Sequence, residues 1–210
     1  ELLYKGKEVS KLKGKDYKDY RLGVQMVHQD SFAALNPNRT IFQSLSLPLL
    51  QHKIAKNKAE AEEILKEYFE EVGLVPQDQF FYKYPHQLSG VQIQRVAFAR
   101  ALAPNPKLLL LDEPFAAIDA KVRKELRLWL KEMVEKLGIT SIFVTHDQEE
   151  AVEVADEIIV TNRGRIEQKG SPIEIYKNPK TPFVAQFIGE STIIDNYSAL
   201  KGFDYIGDDS

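Results

Sequence analysis

Two acidic residues stand side by side where an apolar segment ends. Residues 108–111 are four consecutive leucines, which predict a strand buried on both faces of a parallel sheet, and Asp112 and Glu113 follow directly. Because side chains alternate along a strand, these two carboxylates point in different directions. One can bind a metal ion while the other acts on a water molecule, and hydrolysis of a nucleotide needs both tasks. A buried strand with a solvated acidic turn explains the same residues, so the segment alone leaves both interpretations open.

A histidine follows a second apolar segment in a similar way. Residues 141–145 predict another buried strand, and His146 and Asp147 come next. Open α/β sheets bind ligands at the carboxyl ends of their strands, so His146 is expected at the same sheet edge as Glu113. A lone histidine is more often structural than catalytic, and that alternative stays open for His146.

Two further segments have residues that could bind a ligand. Ser89 and Gly90 precede a predicted helix, and a hydroxyl with free N–H groups at a helix start suits an anion such as phosphate. An ordinary helix cap explains Ser89 equally well. A polar loop with Gln29 follows a short strand predicted over residues 22–27, and such loops often carry functional residues. A plain connection is the simpler interpretation of that loop.

Composition limits the class of protein. The 210 residues are 43% hydrophobic and 28% charged, which is typical of a globular protein with one large domain. A net charge of -3 gives no reason to expect nucleic acid as a partner. The chain has no cysteine, which excludes disulfides and thiolate metal sites. No apolar run has the length of a membrane span and no signal peptide opens the chain, so we expect any work at a membrane to proceed through another chain.

Helix signals surround the candidate residues. Asn57 and Glu60 form a capping-box pattern at the start of a helix that runs to about Val72. Pro48 predicts that any helix over residues 41–51 is short or broken. A long amphipathic helix is predicted after Asp119.

These patterns predict an α/β fold with a mostly parallel sheet. The C-terminal part adds a hairpin over residues 158–168 and two short helices that begin near Ser171 and Thr181. We predict four parts. Residues 1–40 are a core segment and residues 41–102 a helical lobe; residues 103–170 are a second core segment, and residues 171–210 are C-terminal helices with a loose acidic tail.

The order of these segments resembles the ATP-binding subunit of ABC transporters, of the importer type. A glutamine loop, the signature segment Leu88-Ser89-Gly90-Val91-Gln92, an apolar run with Asp-Glu, a short loop ending in Asp and a strand with histidine follow one another over residues 1–189. The resemblance implies a P-loop NTPase-like fold in three layers, a helical signature lobe, and ATP and Mg²⁺ as the bound groups.

The resemblance also implies a role for each matching residue. Asp112 matches the magnesium ligand, Glu113 the general base for the attacking water, and His146 the switch histidine near the γ-phosphate. Gln29 matches the glutamine that senses both the metal ion and the permease.

A second set of matching residues implies a dimer. Ser89, Gly90 and Gln92 match the signature that meets the γ-phosphate of a second ATP-binding subunit, and Asp119 matches the aspartate at the dimer seam. By the same resemblance we expect membrane permease subunits as partners, a substrate-binding protein as an indirect partner, and a cytoplasmic location on the inner face of the membrane. Residues 80–85 and the Gln29 loop are the expected permease contacts.

The sequence departs from the family pattern at two places. No segment matches Gly-x-x-x-x-Gly-Lys-Ser/Thr, the Walker A loop that cradles phosphates, so the chain resembles a subunit truncated at its N-terminus. A parallel sheet without that strand exposes apolar faces, and we expect weak or no ATP hydrolysis by this chain alone. Val91 stands where the family has a second glycine, and its branched side chain is expected to hinder phosphate contact.

Cargo and activity have more than one interpretation. The N-terminal half resembles peptide importers, whereas the half from Leu108 onward resembles sulfate, polyamine and sugar importers. The alternative to a transport ATPase is a truncated, non-catalytic module that interacts with a complete subunit or a permease. A role in DNA repair or translation lacks support, because the chain has no coiled-coil insertion and no basic patch.

Overall fold

The computed structural model describes residues 1–116 and 118–189, and these form two compact units. The first unit is Glu1–His146, and the second begins at Asp147. The predicted loose tail, residues 204–210, lies outside the described residues. The predicted division into four parts stays a prediction.

A three-stranded parallel sheet forms the centre of the first unit. Its strands β3 (Val24–Val27), β4 (Leu108–Asp112) and β5 (Thr140–Val144) pair in that order, with Leu111 between Val27 and Phe143. A short antiparallel hairpin of β1 (Leu3–Tyr4) and β2 (Lys7–Glu8) precedes it. Together with the helices below, this parallel sheet confirms the predicted α/β fold.

The sheet is packed on one face more completely than on the other. Leu109 and Leu111 are buried, as predicted. The opposite face carries the paired residues Met26, Leu110 and Ile142, of which Met26 is 37% and Ile142 53% exposed. The prediction that residues 108–111 are buried on both faces is therefore wrong for Leu110, which is only partly buried, and the prediction of a buried second strand is wrong for Ile142. Parallel sheets are normally covered on both sides, and among the described residues of this unit these side chains are not.

Helices make up most of the rest of the first unit. Their bounds are α1 Gly14–Gly23, α2 Ile41–Gln51, α3 Lys58–Glu71, α4 Asp78–Phe81, α5 Gly90–Leu102 and α6 Ala120–Leu137. Asn57 caps α3, as predicted, by accepting a hydrogen bond from the backbone N–H of Glu60. In the described part of the chain, no helix combines the length and the apolar character that crossing a membrane requires.

Helix α2 contradicts one prediction. It continues through Pro48 for 11 residues, although proline removes one backbone donor and crowds the preceding turn. Two features offset that cost. Thr40 and Gln43 form a reciprocal capping box at its start, and its buried face, which includes Leu45 and Leu49, packs into the helical lobe.

The helices α2 to α5 enclose an apolar core of their own. Leu45, Leu65 and Phe69 are almost fully buried, and the rings of Phe69 and Phe81 meet edge to face at 4.7 Å. Burial of these side chains stabilises the lobe that carries the signature segment.

The second unit is a smaller α/β arrangement. Its elements are α7 Gln148–Val154, the antiparallel hairpin of β6 Ile158–Asn162 and β7 Arg165–Gly170, α8 Pro172–Lys177 and α9 Pro182–Ile188. Ile158, Val160, Ile175 and Val184 form its core. The hairpin and the two helices with proline at their first position agree with the sequence patterns.

Candidate functional site

Glu113 occupies an unusual backbone position directly after β4. Its φ of 43° lies in the left-handed region, which costs a non-glycine residue about 1–2 kcal/mol. Its backbone N–H donates to the carbonyl oxygen of Val144 at 2.9 Å and so adds one more bond between the ends of β4 and β5. The turn therefore places the Glu113 carboxylate at the carboxyl edge of the sheet.

Both oxygens of the Glu113 carboxylate have a partner. Nδ1 of His146 lies 2.8 Å from Oε1, and Nε2 of Gln29 donates to Oε2 at 3.4 Å. An ionised carboxylate only accepts, so the Nδ1 of a neutral His146 carries the proton in this contact. The Glu113 side chain is 27% exposed and that of His146 76%, so a ligand at this edge can reach both.

Asp112 ends β4 one residue earlier and is partly exposed. Among the described residues, no three or more histidines, aspartates or glutamates lie close enough together to hold a metal ion. Magnesium needs no such group, because it takes one or two carboxylates together with substrate phosphates and water. The single carboxylate of Asp112 fits a magnesium ion of that kind.

The signature segment lies at the start of α5, as predicted. Ser89 accepts a hydrogen bond from the backbone N–H of Gln92, while the Gln92 side chain accepts one from the N–H of Ser89. This is a complete capping box, so the cap alone accounts for Ser89. Ser89 and Gly90 are nevertheless exposed, and the serine hydroxyl retains a proton that it can donate.

Asp119 caps the next long helix. Its carboxylate accepts a hydrogen bond from the N–H of Val122, and the guanidinium of Arg123 donates to the carbonyl of Ile118 at 2.9 Å. A methyl group built on Gly90 would lie 3.9 Å from the side chain of Ile118. The signature segment and the start of α6 therefore approach each other through Ile118.

The predicted residues thus form two groups in the first unit. Gln29, Glu113 and His146 contact one another at the sheet edge, with Asp112 as the chain neighbour of Glu113. Ser89, Gly90, Gln92 and Asp119 form a second group around two helix starts, in which Gln92 is partly buried and the other three are exposed. The first arrangement suits hydrolysis of a phosphate anhydride, and the second offers N–H groups and hydroxyls to an anion.

Some contacts of the glutamine loop have no sequence signal. Ser31 Oγ donates to Gln94 Oε1 at 2.6 Å in a buried position, and Arg100 Nη1 donates to the carbonyl oxygen of Ala34 at 2.5 Å. Burial lowers the pKa of the Arg100 guanidinium from its ordinary value, without removing its charge. The pairs are 63 and 66 residues apart, so no local pattern indicates them.

The aromatic segment before the signature divides into two parts. Phe80 and Phe81 are buried in the lobe, whereas Tyr82 is 67% exposed and Tyr84 is stacked on His86 at the surface. Core packing accounts for the phenylalanines, and the tyrosines remain accessible to another molecule.

Comparison with known proteins agrees with this geometry. A family model described as ABC transporter matches residues 1–116. The sulfate/thiosulfate import ATP-binding protein CysA of Nitrosomonas europaea is 48% identical over 194 residues, which cover 92% of this chain and 52% of that protein. Its counterpart from Neisseria meningitidis serogroup A is 46% identical over 204 residues, 96% of this chain and 54% of that protein.

A solved structure gives the same result. The structure of cbiO1 from Clostridium perfringens, part of the ABC transporter complex cbiONQ, matches with a TM-score of 0.72 and 29% identity, over 84% of this chain and 67% of that one. The chain spans about half the length of the curated relatives it matches. The predicted resemblance is confirmed, and the chain belongs to the ABC transporter family.

Proposed function

We propose that this chain is the ATP-binding and ATP-hydrolysing part of an ABC importer. The observation that carries the proposal is the Glu113 carboxylate, which is held between Gln29 and His146 at the carboxyl edge of a parallel sheet. A carboxylate in this place can accept a proton from a water molecule that attacks a phosphate.

Each residue of the first group has one task in this proposal. Asp112 would hold Mg²⁺, which neutralises phosphate charge when the metal and ATP are bound. Glu113 accepts the proton of the attacking water. His146 donates from Nδ1 to Oε1 of Glu113 and keeps the carboxylate in place. Gln29 donates from Nε2 to the other oxygen, Oε2, with the same effect.

The second group of residues supports a dimer. Ser89, Gly90 and Gln92 lie at an exposed helix start, where N–H groups and a hydroxyl can meet the phosphates held by another ATP-binding subunit. Asp119 is exposed nearby, at the start of α6. In this proposal the subunits work on the inner face of a membrane with permease subunits and, indirectly, a substrate-binding protein.

The relatives support an oxyanion as cargo. Both matched proteins named above are import ATP-binding proteins for sulfate and thiosulfate, and their similarity covers more than nine tenths of this chain. Sulfate is also among the cargoes that the sequence from Leu108 onward indicates. We therefore propose sulfate or thiosulfate import as the process that this chain serves.

The 210 residues contain no lysine-bearing phosphate loop of the Walker A type. Backbone N–H groups and a lysine of that loop hold the phosphates in P-loop enzymes. We therefore expect these 210 residues alone to hydrolyse ATP slowly or not at all. The second candidate function is a non-catalytic module, which the exposed signature segment favours because it can serve a partner's nucleotide.

A comparison of Glu113→Gln with the unchanged chain tests the enzymatic role. We expect the slow Mg-ATP hydrolysis of the unchanged chain to fall by about 10²–10⁴ in Glu113→Gln, because a general base is lost. Glu135→Gln is the matched control, because Glu135 is exposed on α6 outside the site.

Three outcomes separate the candidate functions. Hydrolysis that survives in Glu113→Gln would contradict the assignment of the base. Absence of both binding and hydrolysis in the unchanged chain would favour the non-catalytic module. That module is then supported if the chain raises the hydrolysis rate of a complete ABC subunit and Ser89→Ala abolishes this increase.

A further inference from the structure

The glutamine loop is attached to the helix that carries the signature segment. Ser31, two residues after Gln29, is 5% exposed and donates its hydroxyl proton to Gln94 of α5, itself 4% exposed. The 2.6 Å distance lies within the ordinary range of O–H···O hydrogen bonds. Ser31 Oγ also lies 3.2 Å from the carbonyl oxygen of His28, on the other side of Gln29.

A second attachment lies further along the same helix. Arg100 donates from Nη1 to the carbonyl oxygen of Ala34, about 9 Å along the helix axis from Gln94 at 1.5 Å per residue. The loop is therefore bonded to α5 at two points. Helix α5 begins at Gly90, directly after Ser89. The same helix therefore carries the signature segment at its start and binds the glutamine loop along its length.

The buried position of the Gln94 amide lowers the stability of the fold. Its Nε2 is buried and has no hydrogen-bond partner among the described residues. If the amide is flipped, Nε2 donates to Ser31 Oγ and the serine hydroxyl donates to the carbonyl oxygen of His28 instead. The amide oxygen of Gln94 then has no partner. An apolar side chain of similar size would avoid either penalty, so stability alone does not account for a glutamine here.

We propose that Gln94 and Ser31 are positioning residues, which hold the glutamine loop on α5 so that the Gln29 amide stays on the Glu113 carboxylate. Hydrogen bonds join Gln94 to Ser31 and Gln29 to Glu113, and the backbone of residues 29–31 connects the two bonds. A displacement of the signature helix is thereby transmitted to the carboxylate. The inference deepens the proposed function, on which its catalytic meaning rests, while the contact itself can be measured without ATP.

The test uses Gln94→Met, Ser31→Ala and the double variant in the nucleotide-free chain. Hydrogen exchange of the backbone amides of residues 28–35 is expected to rise about fivefold in each single variant, the factor that one lost hydrogen bond gives. The double variant is expected to rise no further, because both changes remove the same bond. Ser46→Ala is the control, since Ser46 is equally buried but lies on α2.

The second readout is the NMR signal of the Gln29 side-chain amide. We expect Gln94→Met to move this signal toward its position in Glu113→Gln, which weakens the same contact, while Ser46→Ala leaves it in place. If Gln94 were merely structural, Gln94→Met would lower the melting temperature but would not move the Gln29 signal. Additive exchange rates, or a Gln29 signal that does not move, would overturn the inference.

The two proposals fail in different ways. If the loop responds as expected but Mg-ATP is neither bound nor hydrolysed, the positioning contact stands and the enzymatic function is contradicted. If hydrolysis follows Glu113→Gln as expected but residues 28–35 do not respond to Gln94→Met, the positioning role is contradicted and the enzymatic function stands.

Discussion

The helical lobe and the parallel sheet of the first unit differ in how completely they are packed. The lobe buries Leu65, Phe69 and Phe81 almost fully, with aromatic rings in contact. The sheet buries Leu109 and Leu111 on one face but leaves Ile142 and its paired neighbours half exposed on the other. Both regions carry apolar side chains at the expected spacing, so spacing alone does not tell whether a covering layer is present.

The difference separates two kinds of stability. A helix in the lobe is held by side chains of other helices in the same unit, and removal of one large ring leaves a cavity. A side chain on the open sheet face already contacts water, and its removal costs little.

Phe69→Ala is expected to have the largest effect. The buried ring contacts Phe81, and its loss should lower the free energy of unfolding by about 3–5 kcal/mol. Ile142→Ala on the open sheet face should cost about 1 kcal/mol or less. Urea unfolding followed by the fluorescence of Trp129, the single tryptophan of the chain, measures both values.

Equal costs for these two variants would contradict the contrast between lobe and sheet. In that case Ile142 would be covered in solution, by a second copy of the chain or another layer. Light scattering at the same protein concentration would then distinguish a dimer from a monomer.

Arg95→Met tests the junction between the lobe and α6. Arg95 donates to the carbonyl oxygen of Val72 at 2.5 Å, and its guanidinium lies 5.1 Å from the centre of the Trp129 ring. Burial also lowers the pKa of this guanidinium, although the group stays charged. Loss of the charged hydrogen bond and the cation–π contact should cost about 2 kcal/mol.

The fluorescence maximum of Trp129 should move in Arg95→Met, because the indole loses its cationic neighbour. Arg39→Met is the matched control, since Arg39 is exposed in the loop before α2. A cost no larger than that of the control would show that the junction does not hold the lobe.

Local signals in the sequence predicted the helix starts well. Asn57, Ser89 and Asp119 each accept a hydrogen bond from a backbone N–H three residues later. Such a bond depends on a side chain and its immediate neighbours, so a short pattern is sufficient to indicate it. The prediction of a short or broken helix at Pro48 was wrong because it used only local information. The cost of proline in the helix is offset by side-chain burial, which depends on the folded lobe.

The candidate site shows the same limit. The meeting of Glu113 and His146 follows from two parallel strands that end at one edge, which the apolar segments indicated. The contact between Ser31 and Gln94 joins residues 63 positions apart, and neither residue type signals it. The exposure of Ile142 likewise depends on what covers the sheet, which is a property of the tertiary structure.

Asn57→Ala is expected to have an intermediate effect within the lobe. Its side chain accepts the N–H of Glu60 at the start of α3, and loss of a cap costs about 1 kcal/mol. Hydrogen exchange should increase first in the amides of the first turn of α3. Asn38→Ala, in an exposed turn, should leave both stability and exchange unchanged, and a similar cost for the two variants would contradict the capping role.

The smallest expected effect concerns the N-terminal hairpin, which contacts α1 through two surface ion pairs and through the edge-to-face rings of Tyr4 and Tyr20. The Lys7 ammonium donates to Asp16 at 2.5 Å, and this hydrogen bond holds the pKa of the Asp16 carboxyl below its ordinary value of 3.8. Because the folded pKa is the lower one, the contact is complete above the ordinary value and is lost as the pH falls through the folded value. Lys7→Met should return the Asp16 pKa, measured by carboxyl NMR, toward 3.8. An unchanged pKa would show that the ion pair does not form in solution, whereas a pKa that returns toward 3.8 would show that it does.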